Sequence, residues 1–135
     1  MQDSPSCEEL LVAVADFLET DIMPMHQDRT AFQVRIAASV CRILARENRL
    51  EPGFLEEEHA TLTRLLGQSP LRSNAKNIGS EVRELASDLV EALSKGSLRA
   101  DSAGVFEAVE ALVRHKLLVV NPTYLGSDIE NEVRT

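Results

Sequence analysis

Apolar residues recur along this chain at three- and four-residue intervals, and the breaks made by proline and glycine divide it into five helical stretches. In the first, Leu10, Leu11, Val14, Phe17, Leu18 and Ile22 share one face, opposite Glu8, Glu9, Asp16 and Glu19. Its start has two readings, Ser4 before Pro5 or Ser6 opening a capping box with Glu9, and Pro24 is expected to stop it near Met23. Asp21 breaks the pattern by projecting on the apolar side. In the second stretch, residues 28–50, the side chains of Phe32, Val34, Ile36, Ala37, Ala38, Val40, Cys41, Ile43, Leu44 and Ala45 cover most of the helical circumference. That predicts an interior rod wrapped by the other helices, capped by Asp28 or Thr30 and closed by Glu51-Pro52-Gly53.

A third, shorter helix is expected over residues 54–66, with Phe54, Leu55, Leu62, Leu65 and Leu66 inward and Gly67 as its stop. Glu56, Glu57 and Glu58 fall in its first turns, where the macrodipole favours acids. The segment QSPLRSNAKN, residues 68–77, is the most loop-like and the expected site of disorder or proteolytic nicking. A fourth helix then aligns Ile78, Val82, Leu85, Leu89 and Leu93 before Gly96. Asp101 or Ser102 caps a fifth carrying Val105, Phe106, Val109, Leu112, Val113 and Leu117, whose β-branched end at Val119-Val120 favours leaving helical geometry before Asn121-Pro122. No alternating run is long enough for a strand. The expected architecture is all-α: one domain over residues 1–125, an antiparallel bundle of about five helices around a central second helix, with 126–135 as a flexible tail.

Charge changes this picture in one respect. The chain has 14 basic and 22 acidic residues, net −8, which disfavours nucleic acid and anionic lipid as partners. Yet Arg35, Arg42, Arg46 and Arg49 lie along one edge of the second helix, a basic stripe on an acidic protein, while Glu81, Glu84, Asp88 and Glu91 form an acidic stripe on the fourth. The basic stripe has three readings. It is solvated or locally paired; it faces the acidic stripe, within one chain or across a two-fold homo-oligomer; or Arg35 and a neighbouring guanidinium hold a small anionic ligand. Arg35 lies near the turn that holds Asp21, so the two are expected to form a partly buried ion pair locking the first two helices.

Other candidate chemistry is thin. Glu56-x-x-His59 has the spacing of carboxylate-bridged metal bundles, but no second such pair accompanies it, so no metal or cofactor is expected. Cys7 and Cys41 form no CxxC, and two cysteines without a signal peptide or a membrane-length apolar run point to a reduced cytoplasmic protein. No glycine-rich phosphate loop is present, and Asn121-Pro122-Thr123-Tyr124 reads as a helix stop that folds Tyr124 and Leu125 back on the core.

Phe17-Leu18 up to Pro24, Phe32-x-x-Arg35-Ile36-Ala37-Ala38, Arg46-Glu47 and Asn121-Pro122-x-Tyr124-Leu125 together resemble an uncharacterised bacterial domain family. The resemblance spans most of the chain, with Ser39 standing where an Asn is expected after the two alanines. It implies a context, not a chemistry: such domains are encoded beside, or fused to, phosphotransferases of the aminoglycoside-kinase type and acyl-CoA dehydrogenases. With an acidic surface and no convergent catalytic group, the expected role is a non-enzymatic interaction domain working through helix faces, as a homo-oligomer or beside such a partner. The alternative is an anion-binding protein or enzyme with Arg35, Arg46, His26 and Tyr124 around a pocket between the first, second and last helices.

Overall fold

The computed structural model describes residues 4–68 and 77–126, and among these every regular element is helical. Four α-helices are formed, α1 Cys7–Phe17, α2 Arg29–Leu65, α3 Ile78–Ser94 and α4 Val105–Val120, with short π and 3₁₀ turns after α1 and a 3₁₀ turn at Pro122–Leu125. Most of the loop at 68–77 and nearly all of the expected tail lie outside the described residues.

The count of five helices is corrected to four because the second and third expected helices are one. α2 continues through Pro52 and Gly53. Proline removes one helical donor and crowds the preceding turn, a cost of about 3 kcal/mol or more. Burial on both sides offsets it: Ala45 upstream and Leu62 downstream are buried. The three glutamates that follow are also good helix formers. Elsewhere the ends follow the sequence more closely. Ser6 and Glu9 form the reciprocal capping box, which decides between the two starts of α1. Asp28 accepts from the Thr30 amide at 2.9 Å as α2 begins, and Gly67 and Gly96, at φ +63° and +73°, provide the left-handed turns after α2 and α3. α4 starts at Val105, later than Asp101 or Ser102, and stays helical through Val120.

The chain divides into two compact units, Met1–Glu51 with Leu118–Thr135, and Pro52–Leu117. In the first unit α1 and the early part of α2 run antiparallel, since Glu8 pairs with Arg49 while Asp16 and Glu19 pair with Arg42. Ala15 of α1 and Ala38 and Ala45 of α2 are buried in this unit. The expectation of an interior rod is overturned here. Phe32, Ile36, Val40 and Leu44 are 61, 48, 47 and 43% exposed, and Leu10, Val14 and Phe17 of α1 are exposed as well. At 100° per residue Ala38 and Ala45 fall opposite these large apolar residues of α2 and on the side of Arg42 and Arg49, whose ion pairs reach α1.

The second unit has the more ordinary interior. Leu62 of α2, fully buried, meets Val82, Leu85 and Leu89 of α3, with Leu55, Leu66, Ile78, Leu93, Leu98 and Leu112 packed around them. These are the inward positions expected from the helical spacing of α3.

Candidate functional site

Each basic residue of the α2 stripe has its own environment. Arg42 Nη2 reaches Asp16 Oδ1 at 2.8 Å and Glu19 Oε2 at 2.5 Å, and these hydrogen bonds, Glu19 first, raise its pKa above the ordinary arginine value. Arg49 lies 3.4 Å from Glu8. Arg46 donates from Nε to the Val119 carbonyl at 2.7 Å, at the C-terminal end of α4. Among the described residues, Arg42 and Arg49 thus meet acids of α1 and Arg46 meets the end of α4, in the first unit.

Arg35 and Asp21 do not form the expected pair. Arg35 is exposed and has no ion-pair partner among the described residues, and the Asp21 carboxylate accepts instead from the neighbouring Thr20 hydroxyl at 2.9 Å. The physical reason is the backbone: Leu18–Ile22 is a π-helical turn, whose wider winding shifts the direction of each side chain from the α-helical register assumed for Asp21. Tyr124, expected to fold back on the core, is exposed, while Pro122 takes the buried position. His26 is exposed too. Arg35, His26 and Tyr124 are therefore all solvent-facing, and Arg46 is engaged at the end of α4.

In the second unit the acidic stripe of α3 is used piecemeal. Glu81 lies 3.1 Å from His59 Nε2, Asp88 accepts from Gln68 at 3.3 Å, Glu91 pairs with Lys95 one turn on, and Glu84 is exposed. His59 thus pairs with α3, and among the described residues no group of three or more His, Cys, Asp or Glu is arranged to hold a metal ion.

One cluster escaped the sequence reading. His115 of α4 stacks on Phe54 with ring centroids 4.0 Å apart and planes 6° from parallel, and its two nitrogens lie 3.0 Å from Glu58 and 3.3 Å from Glu57. His115, Glu57 and Glu58 border a cavity of about 40 Å³ that also touches Thr61, Ala108, Ala111 and Leu112. That volume suits a water molecule or two, not a metabolite. The legible trace of it was the helical spacing of Phe54, Glu57, Glu58 and Thr61, which puts them on one side of α2. His115, far along the chain, gave no local sign.

An exposed apolar row, Phe32, Ile36, Val40 and Leu44, runs along α2 at one residue per turn, opposite Ala38 and Ala45. Scattered exposed aliphatics are ordinary, but four in consecutive helical turns make a contiguous surface of the kind that marks contact sites. Arg42 and Arg49 are turned toward α1 and leave the row clear of their charge.

Comparison with known proteins locates this surface in a shared domain. The family described as Domain of unknown function (DUF6285) matches residues 24–124, a span that includes the whole of α2, α3 and α4. No curated protein and no solved structure matches the chain.

Proposed function

The chain belongs to the DUF6285 family, and from that membership and the surface of α2 we propose that it is a non-enzymatic interaction domain acting through helix-face contacts. The row Phe32, Ile36, Val40 and Leu44 carries the reading. Water is a poor neighbour for four large apolar side chains in successive turns, and covering them would recover about 25 cal/mol for each Å² removed from solvent. The partner suggested by the resemblance is a phosphotransferase-like kinase or an acyl-CoA dehydrogenase encoded nearby.

Ile36→Glu/Val40→Glu puts two charges into the row at positions already half in water, so the fold should hold while contact is lost. Co-purification and calorimetry of the wild-type chain against such a kinase or dehydrogenase, repeated with the double variant, test the proposal. Binding abolished by the double variant, with unchanged circular dichroism, is the expected result. A double variant that binds as the wild type does would remove α2 from the role.

A further inference from the structure

We infer that the apolar row of α2 pairs with the same row of a second copy, in an antiparallel two-fold contact centred at the level of Ala38. This rests on the reading of α2 as an interaction face and names its occupant. Advancing 100° per residue, Arg29, Ile36, Val40, Ile43 and Glu47 fall within an arc of about 60°. Phe32 and Leu44 flank that arc on its two sides.

The row is self-complementary about its midpoint. Placing a two-fold axis at Ala38 sets Ile36 level with Val40 of the second copy, Phe32 level with Leu44, and Gln33 level with Ile43, and the reciprocal contacts follow by symmetry. The same operation sets Arg29, at one end of the arc, level with Glu47 at the other. Neither residue is in an ion pair among the described residues, so both are available to a partner.

Charge also selects the direction. A parallel arrangement would put Arg29 beside Arg29 and Glu47 beside Glu47, two like-charge contacts, whereas the antiparallel one makes two opposite-charge contacts and opposes the helix dipoles. The spacing Gln33, Ile36, Val40, Ile43, Glu47 alternates three and four residues, which is the seam of helices crossing at a shallow angle of about 20°. At that angle, charges about 13 Å either side of the centre stay within side-chain reach. The small, exposed Ala37 and Ser39 beside the crossing offer no bulk against close approach.

Sedimentation equilibrium of the full chain tests the inference. The wild type should sediment at twice its 14.9 kDa mass, and Ile36→Glu/Val40→Glu should sediment as a monomer with an unchanged circular dichroism spectrum. Arg29→Glu alone and Glu47→Arg alone should each weaken the dimer about tenfold, through two repulsive contacts per dimer, and Arg29→Glu/Glu47→Arg together should restore it. Failure of the double swap to restore affinity overturns the antiparallel register, and a dimer that survives Ile36→Glu/Val40→Glu overturns the choice of surface. A wild type that stays monomeric at 100 µM overturns the inference outright. If that monomer still loses a kinase or dehydrogenase partner through Ile36→Glu/Val40→Glu, the interaction reading stands and only the second copy is excluded.

Discussion

Arg46 Nε donates to the Val119 carbonyl at 2.7 Å, joining the middle of α2 to the last turn of α4. The final carbonyls of an α-helix have no acceptor role within it, and they carry the negative end of its dipole, so a guanidinium there meets both needs. Asn121-Pro122 ends α4 and thereby fixes which carbonyls are left over. Arg46 and the helix stop Asn121-Pro122, far apart in the chain, thus belong to one arrangement.

Removing that donor should be costly. Arg46→Leu should lower stability by about 1.5–3 kcal/mol, the range for a hydrogen bond from a charged group, and Arg46→Lys should recover part of it. Urea denaturation gives the loss, and amide exchange in residues 114–120 should speed up. A change of less than about 0.5 kcal/mol, ordinary for a surface position, would contradict the role assigned to Arg46.

Arg35 and Arg42 should behave oppositely, although they are two turns apart on one helix. Arg35→Ala and Asp21→Asn should each move stability by no more than about 0.5 kcal/mol, since the pair they were expected to make is not formed. Arg42→Ala removes contacts to Asp16 and Glu19 and should cost about 1 kcal/mol. Because that cluster is partly exposed, repeating the melts in 1 M salt should shrink the Arg42 effect and leave the Arg35 result unchanged.

Leu62 is the fully buried side chain around which the second unit packs. Leu62→Ala should destabilise by about 2–5 kcal/mol, the transfer loss plus the cavity left behind. Thermal and urea unfolding measure it. A shift no larger than that of Val90→Ala, at an exposed position of α3, would show that this core is not the source of the unit's stability.

The starts of α1 and α2 should weaken in acid. The Ser6 backbone amide holds the Glu9 carboxyl below its ordinary pKa, and the Thr30 amide does the same for Asp28. A carboxyl whose folded pKa is depressed contributes stability that is complete above its unfolded value and disappears as pH falls through the folded one. The contribution should therefore be intact at pH 6 and fade below about pH 4. Glu9→Gln keeps the capping geometry without the titration, so amide exchange at the start of α1 should lose its acid dependence in this variant; an unchanged acid dependence would assign the effect to other carboxyls.

Much of the helical content could be read from spacing alone, because amphipathic period and capping residues act locally. Ser6, Gly67 and Gly96 mark ends where local chemistry and structure agree. What spacing could not supply was the outcome of competition between distant parts. Pro52 is a breaker within its own window, yet the helix runs through it between the buried Ala45 and Leu62, an outcome the window itself does not contain. The same limit applied to α2: an apolar circumference indicates what would favour burial, not which side the chain itself covers. For the basic stripe, Arg42, Arg46 and Arg49 could be placed together by their period, but their partners on α1 and α4 lie in other parts of the chain.

Ala15, Ala38 and Ala45, buried in the first unit, are the smallest side chains that could fill their places. Side chains of one carbon allow a neighbouring backbone to come close, and Arg42 and Arg49, on that same side of α2, reach the acids of α1. Ala38→Leu would act as a spacer, lifting α1 away and leaving both guanidinium groups to reach across water. Two unrelated interactions, a dry contact and a set of ionic clasps, would then fail together from a change that touches no charged residue.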